Sequence, residues 1–269
     1  MPSRDTIADG SIAEWVDHLQ AAGRYTFTRE ELAGFAGRSP VAIDAALRRL
    51  KKAGRIWSPR RGFLVVVPIE YRAAGCPPPS WFVADLMRFL DQPYYVGILS
   101  AAALNGASHQ QPMAFQVVTD RPTRAARAGR TRIEFHQSGS VEDSPTVELQ
   151  TETGTMRVAT PEATAFDLVR YQAAAGYLDN VVTVLSELAE RMQPEALAKC
   201  ARSQPIPDAQ RLGYLLDQLD QHDLAESLFR AVSDQRLRTV LLAPRRARGR
   251  RRPDARWHVI PNWKLEIDE

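Results

Sequence analysis

Thr28-Arg-Glu-Glu-Leu-Ala-Gly-Phe-Ala-Gly-Arg-Ser-Pro40 runs into Val41-Ala-Ile-Asp-Ala-Ala-Leu-Arg-Arg-Leu-Lys-Lys-Ala-Gly54 and then Arg55-Ile-Trp-Ser-Pro-Arg-Arg-Gly-Phe-Leu-Val-Val-Val67. Thr28 and Glu31 have capping-box spacing, in which hydroxyl and carboxylate each satisfy an orphan backbone N–H. A short helix carrying Leu32, Ala33 and Phe35 is therefore expected to start there, with a turn at Gly37-Arg38. Ser39-Pro40 is a second helix start, a cap followed by a proline at the first helical position. Ile43, Leu47 and Leu50 recur at spacings of four and three, so they form one core-facing stripe. Ala42, Ala45, Arg48, Arg49 and Lys52 occupy the opposite face, small first and basic later. Gly54 ends the helix, and Ile56-Trp57 and Phe63 to Val67 read as a hairpin whose Ser58–Gly62 tip holds Arg60 and Arg61. Two helices, a tight turn and a hairpin make a winged helix-turn-helix.

A helix that enters the major groove needs small residues for close approach and cations for phosphates and guanine edges. The expected contacts to double-stranded DNA are Ser39, Ala42, Ala45, Arg48, Arg49, Lys52, Arg60 and Arg61. Ser39 is first of all a cap, although the helix N-terminus it opens also attracts phosphate. Trp57 reads as a packed strand residue. Winged helices also serve as protein-docking modules, and the agreement between basic helix and basic hairpin tip favours DNA.

The 269 residues suggest two domains, and the net charge of +3 means that basic character must be local to matter. It is local: Arg236 to Arg252 holds eight arginines and no acid, and residues 121 to 132 hold five more, again without an acid. Cys76 and Cys200 are far apart and lack metal-ligand spacing, which predicts free thiols in a reducing cytoplasm and no metal or disulfide. No apolar run approaches membrane-spanning length, and no signal-peptide pattern opens the chain, so a cytoplasmic protein without a membrane partner is expected.

Ile12, Trp15, Val16 and Leu19 share one helix face behind a cap at Ser11. Gly75-Cys-Pro-Pro-Pro79 reads as a stiff non-helical linker, giving domains over residues 1–72 and 81–269 with a Pro-rich linker at 73–80. Beyond it, helices are expected at 81–90 and around Ser100–Gly106, with an extended start at Tyr94. Strands are expected at 115–119, 131–136, 146–151 and 155–159, the last two joined by Glu152-Thr-Gly154. Thr160-Pro161-Glu162 opens a helical region, with further helices at 176–192, 194–202, 208–220 and 222–231 and an extended end over 257–269. The fold class is α+β: a winged helix-turn-helix, then a larger domain with a small mixed sheet and a C-terminal helical bundle.

Pro93-Tyr-Tyr-Val-Gly-Ile-Leu-Ser-Ala-Ala-Ala-Leu-Asn-Gly-Ala-Ser108, Phe115-Gln-Val-Val-Thr-Asp120, Val158-Ala-Thr-Pro-Glu-Ala-Thr-Ala-Phe-Asp-Leu168 and Pro261-Asn-Trp-Lys-Leu265 follow the hairpin strand Gly62–Pro68 in order. This succession resembles the AbiEi family, the antitoxin partners of AbiEii-type nucleotidyltransferase toxins in type IV toxin–antitoxin systems. The resemblance implies an N-terminal domain that binds inverted repeats in its own promoter, and a C-terminal domain that counteracts the toxin. The arginine run at 236–252 departs from the family pattern in its density.

Arg121, Arg124, Arg127, Arg130 and Arg132 surround a turn at Pro122 and are a candidate second phosphate-binding surface; a solvated loop is the plain reading. Arg245, Arg246, Arg248, Arg250, Arg251 and Arg252 lack an acid within the run, which points to an anionic partner or disorder. Phosphate-loop, nucleophile-elbow and zincin motifs are missing. Gly139-Ser140 followed by Glu142 and Asp143 lacks the helix that a nucleotidyltransferase needs. His109 and His136 read as surface or hydrogen-bonded residues and Asp167 as an interior acceptor. No catalytic residue and no cofactor is expected. A ligand-responsive winged-helix regulator without a toxin partner is the alternative.

Overall fold

The computed structural model describes residues 11–34, 39–107 and 112–264. Phe35, the Gly37-Arg38 turn, His109 and the segment 265–269 therefore lie outside the described residues. Helix α1 (Ile12–Ala21) starts at Ser11 in a capping box with Glu14 and buries Ile12, Trp15, Val16 and Leu19. After β1 (Thr26–Thr28), the Thr28–Glu31 box starts α2 (Arg29–Ala33). Helix α3 (Pro40–Lys52) buries Ile43, Leu47 and Leu50 as its spacing predicts. Gly54 follows at φ +65°, a left-handed conformation that glycine adopts without steric cost. Strands β2 (Ile56–Arg60) and β3 (Phe63–Val66) complete an antiparallel sheet in the order β1-β3-β2.

All four residues of β3 are buried, and side chains alternate across a strand. Leu64 and Val66 join the core under α1, α2 and α3, whereas Phe63 and Val65 join the second, larger core built by the rest of the chain. The small sheet is thus covered on both faces, which accounts for the unbroken apolar run at 63–67. Further contacts span the same seam. The Thr26 hydroxyl donates to Asp85 at 2.6 Å, and Trp57 meets Phe82 edge-on at 5.8 Å.

The Pro-rich stretch is packed in place. Short 3₁₀ turns at Ile69–Tyr71 and Pro79–Trp81 bracket it, so part of the expected non-helical linker is helical. Cys76 is 1% exposed. A Cβ on Gly75 would stand 2.7 Å from the Gly129 amide nitrogen, so two backbones touch where only glycine fits.

Helix α4 (Val83–Phe89) leads into a six-stranded mixed sheet. Its strands are β4 (Tyr94–Val96), β5 (Phe115–Thr119), β6 (Ala126–Ala128), β7 (Thr131–Gln137), β8 (Thr146–Thr151) and β9 (Gly154–Ala159), in the order β6-β7-β5-β4-β9-β8. β4/β9 and β5/β7 are parallel and the other pairs antiparallel. The arginine-rich connection read as a loop contains β6, where Ala126 and Ala128 are buried and Arg127 is exposed. Three residues with alanine as the inward side chain give little strand signal.

Helix α5 (Ile98–Leu104) and α6 (Pro161–Arg170) pack together beside the sheet. α7 (Tyr177–Ala189), α8 (Pro194–Ala201), α9 (Ile206–Gln218) and α10 (His222–Val232) follow as the expected helical bundle. The described part of the closing segment, 257–264, is only partly extended. β11 (Val259–Ile260) pairs in parallel with β10 (Val240–Leu241), while Trp257 is fully buried over Gly213, where an added Cβ would lie 2.2 Å from the ring. The arginine run 245–252 is consequently an exposed loop between two anchored strands rather than a tail.

Candidate nucleic-acid interface

Helix α3 and the β2–β3 hairpin bound a groove of about 460 Å³ lined by Arg29, Val41, Asp44, Arg48, Lys51 and Arg61, among others. The cap that opens α3 is formed, with the Ser39 hydroxyl accepting from the Ala42 N–H at 3.3 Å. Ala42, Arg48, Arg49 and Lys52 are exposed and Ala45 is half-buried. Of these α3 residues only Arg48 lines the groove; Ala42, Ala45, Arg49 and Lys52 lie on the neighbouring face of the helix. Val41, 74% exposed, adds an apolar contact point at its first turn.

Arg29, Lys51 and Asp44 are groove residues that the sequence reading missed. Lys51 lies three residues after Arg48, a spacing that puts both on one flank. Arg29 arrives from α2 and pairs with Asp44 at 2.8 Å, an exposed ion pair that a passing polyanion can exchange at little cost. Only tertiary packing could place it there.

Arg60 departs from its expected position. Its guanidinium turns away from the groove, donates to the carbonyls of Pro59 (2.7 Å) and Arg124, and sits 5.3 Å over the Phe135 ring. Burial, and then the neighbouring charge of Arg124, lower its pKa. It acts as a strut between hairpin and sheet, leaving Arg61 as the hairpin cation in the groove. The same strut holds Arg124 beside the hairpin.

Arg121, Arg124, Arg127, Arg130 and Arg132 are all exposed. Arg121 pairs with Asp120 at 3.2 Å and Arg132 with Glu134 at 2.5 Å, while Arg127 stands opposite Arg132 in the β6–β7 ladder. In the second run, Arg246 stacks on the Trp263 ring at 3.5 Å. Among the described residues, Arg245, Arg248, Arg250, Arg251 and Arg252 are exposed and have no carboxylate within ion-pair distance.

Two polar side chains, one buried and one half-buried, stand apart from these surfaces. Asp167 accepts from the Tyr95 hydroxyl at 3.1 Å, as an interior acceptor should, and burial outweighs the Arg170 charge to push its pKa up to about 7. His136 is half-buried rather than at the surface: its ring lies 5.2 Å from that of Tyr171, and its Nε2 has no hydrogen-bond partner. Among the described residues, no group of three or more His, Cys, Asp or Glu side chains is placed to hold a metal ion. None of the described helices is long and apolar enough to cross a membrane.

Residues 95–218, from β4 to the end of α9, match the family model of the AbiEi antitoxin C-terminal domain. This match agrees with what the sequence motifs imply for that part of the chain, and it supports an antitoxin role in a toxin–antitoxin pair. The fold as a whole is similar to that in the crystal structure of the RV2827C protein from Mycobacterium tuberculosis, with a TM-score of 0.65 and 16% identity over 95% of this chain and 94% of that one. At that identity the likeness speaks for the fold alone. No curated protein matches the chain.

Proposed function

We propose that the chain is an antitoxin that also represses its own operon, with residues 11–67 acting as a winged helix-turn-helix. The observation that carries the DNA-binding half is the groove between α3 and the hairpin, where Arg48, Lys51, Arg29 and Arg61 converge. In this reading α3 enters the major groove: Ala42 and Ala45 allow the approach, Arg48, Arg49 and Lys52 meet base edges or phosphates, and Arg61 follows the backbone. The α3 N-terminus, whose Ala42 N–H is already capped by Ser39, adds the positive end of its helix dipole to a phosphate contact. An inverted-repeat operator would be filled by two copies of the chain, one per half-site. The exposed arginines of β6 and its turns lie beside the hairpin and extend the positive surface along the duplex.

The antitoxin half rests on the AbiEi domain match, and its functional partner in this reading is a nucleotidyltransferase-type toxin. That match weighs against a ligand-responsive regulator with no toxin partner. Co-expression tests both halves together. The chain should restore growth to cells making the cognate toxin and silence a reporter driven by its own upstream region, and Arg48→Ala with Lys51→Ala should lose silencing while keeping rescue. Failure to rescue would remove the antitoxin role; silencing that survives the double substitution would remove α3 from the operator.

A further inference from the structure

We propose that the C-terminal domain holds a binding site for a nucleoside phosphate, separate from the α3 groove. A pocket of about 650 Å³ opens between the end of α6, the start of α7, α9 and the loop after β10. That volume lies within the usual range for small-ligand sites. Arg170, Arg211, Arg245 and Arg246 line it, and no carboxylate does. Val169 and Leu178, both buried, supply apolar wall, and the rings of Tyr171, Tyr177 and Trp263 surround it. Aromatic faces beside a cluster of guanidinium groups are the complement of a ligand that is planar at one end and multiply anionic at the other.

The division of labour among the arginines supports this. Arg170 and Arg211 are pinned at the inner end by their shared partner Asp208, at 2.9 and 3.0 Å. They are prealigned but partly neutralised. Arg245 is exposed and has no ion pair among the described residues, and Arg246 is oriented by its stack on Trp263, whose indole N–H is fixed by Asp179 at 2.8 Å. These two cations suit a phosphate, which a guanidinium can bind through two parallel N–H donors.

The pocket wall has one further distinctive feature. Tyr177 has φ +67° directly after Gly176 at φ +80°, and is 58% exposed. A left-handed tyrosine costs on the order of 1–3 kcal/mol and persists only where its surroundings impose it. Here the strain presents a large ring at the pocket wall instead of burying it. The His136 ring also lines the pocket, while its Nε2 is turned inward, buried and 3.7 Å from Glu134. On β7, the neighbouring Phe135 bears the Arg60 strut on the opposite face, so the pocket and the hairpin are on different sides of that strand.

The test uses the full chain and calorimetric titration with AMP, GMP, CMP and UMP, with inorganic phosphate, and with a 5′-phosphorylated trinucleotide. At least one mononucleotide or the trinucleotide should bind saturably and at least tenfold more tightly than phosphate. Tyr177→Gly removes the ring and the strain together without threatening the fold, and Arg245→Ala removes an exposed cation; each should weaken binding tenfold or more. Tighter binding of the trinucleotide, lost in Tyr177→Gly, identifies a strand end as the source of the ligand, and tighter binding of a mononucleotide identifies a free nucleotide. Absence of saturable binding at millimolar concentration, parity with inorganic phosphate, or binding indifferent to both substitutions would overturn the proposal.

Discussion

Leu64 and Val65 are adjacent in β3 and belong to two different hydrophobic cores, Leu64 to the one under the N-terminal helices and Val65 to the larger one. A single strand thus mortises the two parts of the chain together. Val65→Ala should destabilise the protein by about 2–3 kcal/mol, from lost burial plus a residual cavity, and thermal unfolding should stay a single transition. Two resolved transitions in calorimetry would mean that the N-terminal part melts on its own.

Gly213 and Trp257 make a comparable joint in the bundle. The indole ring lies where a Cβ would be and donates its N–H to Asp217 at 2.6 Å. Gly213→Ala must displace that ring and should cost about 3 kcal/mol, at the upper end of ordinary overpacking. Chemical denaturation checks this, and a loss below about 0.5 kcal/mol would show that the ring relocates freely.

Asp167 should make stability depend on pH. Its folded pKa of about 7 lies above the ordinary value of 3.8, so between those limits the folded state holds a proton that the unfolded state has released. The stabilisation is fully present below the lower value and is lost as pH rises through about 7. Asp167→Asn keeps the shape and removes the titration. The stability of the native chain should fall relative to the variant by a few kcal/mol between pH 4 and pH 8; parallel curves across that window would show that Asp167 does not hold its proton.

The loop after β10 offers an electrostatic test. Arg248, Arg250, Arg251 and Arg252 are exposed, and each phosphate contact contributes about 0.9 to the slope of log affinity against log salt. Replacing the four by alanine should lower that slope by about 2–4 and leave the melting temperature unchanged. An unaltered slope would make the loop a bystander in DNA binding.

Much of the fold can be read from local chemistry. The caps at Ser11, Thr28, Ser39 and Thr160 mark true helix starts, because the hydroxyl that accepts an orphan amide is written into the sequence at fixed spacing. The stripe of Ile43, Leu47 and Leu50 is legible for the same reason. What escapes is long-range. Arg60 and Arg61 are neighbours in a turn, and only the position of Phe135, far along the chain, decides that Arg60 becomes a strut. Strand β6 hides among arginines, Arg29 reaches the groove through α2, and the pocket beside Tyr177 draws its walls from segments scattered between His136 and Trp263.

The central claim is that α3 reads DNA, and fluorescence anisotropy on a labelled duplex from the chain's own upstream region tests it most directly. The native chain should bind this duplex with clear preference over a scrambled one. Arg48→Ala with Lys51→Ala, both at exposed positions, should weaken binding by about 30-fold or more, as expected for losing two contacts of about 1–3 kcal/mol each, with no change in melting temperature. Equal affinity of the native and doubly substituted chains for the upstream duplex would contradict the claim and leave the groove between α3 and the hairpin to a different partner.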